Sequence, residues 1–166
     1  MFELRPLSLE GIAAALEKAE RYRVLGEPFE TESICLDILE VDPRNGAALV
    51  MLILALTDQF RYRFTETFDR ARGLLERLPD DYSRLYYRGL ILERAGKASL
   101  RQGVQGSGFI AYPYFRDAMS CYEEAEPLRP RGNDDVILRW NACARYLNRH
   151  PEVRPQPVER TLDMLE

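Results

Sequence analysis

Three prolines each close a stretch with the same internal spacing, and this recurrence restricts the fold more than any other feature of the chain. The sets are Thr31, Cys35, Ile38 and Pro43; Thr67, Ala71, Leu74 and Pro79; and Ala118, Tyr122, Ala125 and Pro130. Steps of four and then three residues put the first three members of each set on one face of a helix. The proline cannot continue that helix. A second helical stretch precedes each of these: Ala15, Lys18, Ala19 and Tyr22; Leu49, Leu52, Ile53 and Leu56; Leu85, Arg88, Gly89 and Leu92. Nowhere does the sequence show the apolar–polar alternation of a half-buried strand. An all-α fold is expected.

Local signals place the helix ends. Gly26 follows "IAAALEKAERYRVL", Pro28 suits the first turn of the next helix, and Asn45 is placed to cap "GAALVMLILALTDQ". A short aromatic-basic link then leads to "TETFDRARGLLERL". Asp80 or Asp81 caps "YSRLYYRGLILERA", which Gly96 is expected to close, and Pro113 is expected to open "YFRDAMSCYEEAEPL". Asn133 caps a last helix that ends before Pro151, for seven helices in all.

The set from Ala118 to Pro130, with Gly89 in the helix before it, resembles the signature of the tetratricopeptide repeat. In that pattern small residues let paired helices approach and an aromatic fills the gap between neighbouring pairs. The resemblance covers about residues 12–148 and implies an α-solenoid of about three antiparallel helix pairs with a C-terminal capping helix. The terminating prolines lie 36 and 51 residues apart, against a family period of about 34. The third repeat therefore carries an insertion, at about residues 97–113, that takes in most of "RQGVQGSGFIAYPYF". The domains expected are a repeat domain over residues 1–150 and a proline-rich tail over 151–166.

Family members stack their first helices to line a concave groove for a partner's peptide or helix. Here the resemblance puts Ala13, Leu16, Glu20 and Arg23, then Ala47, Val50, Leu54 and Asp58, then Ser83, Tyr86, Leu90 and Arg94 on that face. Its middle is apolar. The basic clamp that some members use for a terminal carboxylate is not matched, because only Arg88 fits it. An open apolar groove invites a cover, and Phe109, Ile110 and Tyr112, next to flexible glycines, are expected to form a displaceable lid. In the tail, Val158, Leu162, Met164 and Leu165 could form an amphipathic turn that docks on the chain's own groove or a neighbour's, so a homo-oligomer is among the assemblies open to it.

Several functions are disfavoured. The net charge of -4 provides no field for nucleic acid. The longest apolar run, residues 47–56, is ten residues long, half of the roughly 20 that a membrane span needs. The N-terminus lacks the apolar core of a signal peptide, and a cytoplasmic location is expected. "GVQGSGFI" follows no strand and lacks the lysine and hydroxyl of a phosphate loop. Cys35, Cys121 and Cys143 lie in apolar helical patterns without metal-ligand spacing, so neither a metal nor another cofactor is expected. His150, the only histidine, reads as a helix terminator, and the pairs Asp80–Asp81, Glu123–Glu124 and Asp134–Asp135 read as helix-end or solvent-facing charge. Trp140 and Tyr146 read as contacts sealing the last helix. The function expected is a non-enzymatic adaptor or scaffold for a protein or peptide, with a chaperone shielding an apolar client segment as the alternative.

Overall fold

Side-chain caps and prolines start the helices where the sequence puts them. In the computed structural model, which describes residues 2–157, Asn45 Oδ1 accepts from the Ala48 amide at 2.9 Å and Asp80 Oδ1 accepts from the Ser83 amide at 2.7 Å. Asn133 Oδ1 accepts from the Asp135 amide at 2.9 Å, and Pro28 occupies the first turn of its helix. Seven α-helices result among the described residues: α1 Ile12–Val24, α2 Pro28–Val41, α3 Gly46–Asp58, α4 Phe60–Gly73, α5 Asp81–Arg101, α6 Ser107–Ala125 and α7 Asp135–Arg149. No strand occurs among these residues. Each helix packs on the next in sequence; α3 also touches both α1 and α5, and α7 touches α5.

The repeated frame marks the core. Thr31, Cys35, Ile38, Thr67, Ala71, Ala118, Tyr122 and Ala125 are all buried, and of the nine frame residues only Leu74 is partly exposed. Two apolar clusters form. One joins α1 to α5 around Cys35, Ile38, Leu49, Ile53, Leu56 and Ile91. The other joins α6 and α7 around Phe115, Tyr122, Val136 and Cys143. Gly89 explains why the frame needs size at fixed places: a Cβ there would lie 2.6 Å from Tyr122 Cε1. The glycine on α5 and the ring on α6 fit one another and no larger residue.

The insertion is helix, which corrects the lid. α5 runs on through Gly96 to Arg101, and α6 begins at Ser107, well before Pro113. The residues expected to form an insertion thus extend α5 and α6, leaving residues 102–106 as the link. Gly96 is small for packing and does not terminate the helix: a Cβ there would stand 3.1 Å from the Phe115 ring and 3.3 Å from the Ala111 carbonyl oxygen, so α5 and α6 cross closely. The turn depends instead on Gly103 and Gly106, at φ 62° and 84°, values open to glycine and costly for other residues. Pro113 lies inside α6 on its exposed side. Phe109, Ile110 and Tyr112 therefore sit on α6: Phe109 lines a cleft with Leu100, Tyr146 and His150, Ile110 is solvent-exposed, and Tyr112 packs on the second cluster.

Two further boundaries shift. The aromatic-basic link is the first turn of α4, kinked at Arg63 (φ -143°, ψ 60°), because Phe60, Phe64 and Phe68 form a stripe at four-residue steps that meets Tyr114 of α6. The domain also extends past residue 150. Val153 is buried in the second cluster, and the chain there passes so close to α6 that a Cβ on Gly108 would lie 2.3 Å from the Glu152 carbonyl oxygen. The expected turn at Val158, Leu162, Met164 and Leu165 lies outside the described residues.

Candidate functional site

Arg23 on α1, Asp58 on α3 and Arg94 on α5 come from three different helices, and the fold brings them together. Asp58 Oδ2 lies 3.2 Å from Arg23 Nε, and Asp58 Oδ1 lies 2.6 Å from Arg94 Nη1. The same Nη1 donates to Thr57 Oγ1 at 2.6 Å. One carboxylate thus bridges two guanidiniums. Burial pushes the Arg94 guanidinium below its ordinary range; the positive charges of Arg23 and Arg139 push the same way and Asp58 opposes them.

Away from this row the face turns apolar. Leu16, Val50 and Leu54 are half-buried, as are Tyr86 and its neighbour Tyr87, whose rings meet edge to face at 5.0 Å. Leu90 is 2% exposed and belongs to the core, so it cannot meet a partner as the sequence reading expected; at its place on α5 it is covered by the adjacent helices. Glu20, Ala13 and Ala47 are exposed. Arg88 is exposed elsewhere, in a cleft with Phe68, Arg72, Tyr114 and Glu124.

At the polar end the row opens into a cavity of about 340 Å³. Arg61, Arg94, Lys97, Arg101 and Arg139 line it, with Thr57, Phe60 and Ala98 and with only two carboxylates, Asp58 and Glu93. Glu93 is 1% exposed and holds this wall together: its Oε2 accepts from Tyr122 Oη at 2.9 Å, while Oε1 accepts from Lys97 Nζ at 2.5 Å and lies 3.6 Å from Arg139 Nη1. Burial and the nearby Glu93 charge drive the Tyr122 hydroxyl far up from its usual range, so it stays a donor to that carboxylate. The sequence reading missed this cavity. Its signal was present, because Arg94, Lys97 and Arg101 follow steps of three and four on α5. Ending the helix at Gly96 split them.

The groups considered for chemistry are dispersed. The three thiols are buried and free; burial raises that of Cys35 to about 12, with Glu32 adding to the effect, and that of Cys143 to about 12, with Glu93 adding. His150 caps the end of α7, with Nδ1 2.9 Å from Glu152 Oε1 and its ring 4.2 Å from that of Tyr146. Glu123 does more than face solvent, accepting from Trp140 Nε1 at 2.8 Å. Among the described residues no three His, Cys, Asp or Glu side chains gather as a metal site would need, and no helix is long and apolar enough to cross a membrane. No family model matches the chain, and no curated protein or solved structure matches it significantly.

Proposed function

We propose that the protein is an interaction adaptor of tetratricopeptide type, whose helix pairs stack as a short solenoid and hold a segment of a partner protein along the face of α1, α3 and α5. The observation carrying this reading is the Arg23–Asp58–Arg94 row, in which one residue from each of α1, α3 and α5 meets at one carboxylate; in the repeat frame Asp58 and Arg94 correspond and Arg23 stands one residue earlier. Such a row arises when these helices lie side by side. The contacts of α3 with both α1 and α5 and the mutual fit of Gly89 and Tyr122 support it as well. The half-buried Leu16, Val50, Leu54 and Tyr86 offer apolar area beside it. Burying each such side chain fully under a partner contributes about 1.5–3 kcal/mol at most.

The test is co-purification from native lysate with the unaltered chain and with Ala47→Glu, Leu54→Asp and Tyr86→Asp, each checked for helical content by circular dichroism. Ala47 is exposed, so its variant charges the face without touching the core. A specific associated protein lost with all three folded variants supports the reading. Retention of every associated protein by all three removes this face from consideration.

A further inference from the structure

We infer that the basic cavity beside Asp58 and Arg94 binds a phosphoryl group carried on a side chain of the partner segment. This rests on the adaptor reading for the partner, but the anion site itself stands on its own geometry. Five basic side chains against two carboxylates leave the cavity positive within a chain whose net charge is -4. Arg23 draws on Asp58 from outside the cavity and leaves still less negative charge for the wall. A single carboxylate leaves most of this excess in place, whereas a phosphoryl group carries about -1.5 to -2 and three strong acceptor oxygens.

The donors are arranged before any anion arrives. Arg94 is held through Nη1 alone by Thr57, Asp58 and the Leu54 carbonyl, so among the described residues its Nε and Nη2 make no hydrogen bond. Lys97 and Arg139 are anchored from within on Glu93. At the rim, Arg61 and Arg101 have no carboxylate within ion-pair distance among the described residues, and Arg61 lies 4.4 Å over the Tyr62 ring. Four of the five cations are arginines, whose planar fork matches paired phosphate oxygens better than a point charge does. A volume near 340 Å³ is at the small end of ligand sites, which run from about 300 to 1,000 Å³. It accepts a phosphorylated side chain and excludes a folded domain. Asp58 and Arg94 belong both to the groove row and to the cavity wall, so a segment lying in the groove passes its entrance.

The experiment is an amide-resolved NMR titration of the full chain at constant ionic strength, with inorganic phosphate, with acetate, and with two short peptides that differ only in phosphoserine against glutamate. Arg61→Gln combined with Arg101→Gln serves as the variant, because both side chains are exposed and outside the internal ion pairs. Saturable shifts around Thr57, Lys97, Arg101 and Arg139 are expected with phosphate and the phosphoserine peptide, with affinity tenfold or more lower in the variant. Acetate and the glutamate peptide should bind at least tenfold more weakly. Shifts spread over the whole surface, equal affinity for the glutamate peptide, or an unchanged affinity in the variant would overturn the proposal. So would capture of free phosphate with rejection of the phosphopeptide. The adaptor reading is judged separately by Ala47→Glu, at an exposed position outside the cavity lining.

Discussion

Replacing Gly89 by alanine tests the fit between α5 and α6. At an exposed helix position the change would stabilise by about 1 kcal/mol, since alanine is the better helix former. Here the new Cβ would meet Tyr122 Cε1 at 2.6 Å, Cδ1 at 2.9 Å and Cζ at 3.1 Å. The ring cannot swing away easily, because it is 1% exposed and its hydroxyl is bonded to buried Glu93. Overpacking of this kind costs about 1–3 kcal/mol, and a ring held at both ends belongs in the upper half of that range. The net loss expected is about 1–2 kcal/mol. With a urea slope of about 2 kcal/mol/M, the unfolding midpoint followed by circular dichroism should fall by roughly 0.5–1 M. In a Tyr122→Leu background the obstruction is gone and the same substitution should instead stabilise, giving a coupling of about 2–3 kcal/mol between the sites. An equal effect in both backgrounds, or stabilisation of the unaltered chain, would refute the reasoning.

Changing Asp58 to Asn should destabilise by about 1–2 kcal/mol, measured by urea unfolding, because it leaves Arg23 and Arg94 facing each other without their shared counter-charge. Stability should fall as pH rises from about 9 toward about 12, since the folded state keeps the Cys35 and Cys143 thiols protonated up to about 12 while the unfolded state releases those protons from about 9. The contribution is fully present below pH 9, and urea midpoints for Cys35→Ala with Cys143→Ala should show a shallower alkaline decline than the parent. Ending the chain at His150 should cost about 1–2 kcal/mol of stability by thermal or urea unfolding, because Val153 leaves its buried place against α6; no loss would return the domain boundary to residue 150.

Helix class, number and most caps were legible because they depend on local chemistry. Asn45, Asp80 and Asn133 cap through side chains within three residues of the amides they receive, and Pro28 fixes its own φ. The frame from Ala118 to Ala125 was legible for the same reason, as one face of one helix. Gly96 and Gly108 were not, because each is small for the sake of chain far away in sequence: Phe115 for one, Glu152 for the other. A glycine that permits close approach and a glycine that ends a helix look the same in one dimension. The error at Gly96 carried over to the site. It made a lid of a helix and divided Arg94 from Lys97 and Arg101, so the basic cavity went unseen although the groove row of Arg23, Asp58 and Arg94 was identified by position.

The stacking of the first helices is tested most directly by electron spin resonance distances between labels placed pairwise at residues 13, 47 and 83, one matching site on each of α1, α3 and α5. Side-by-side helices lie about 8–10 Å apart, so the 13–47 and 47–83 separations should be similar and the 13–83 separation clearly longer, approaching their sum. A 13–83 distance as short as the other two would mean a closed bundle, and the groove with its partner segment would go with it.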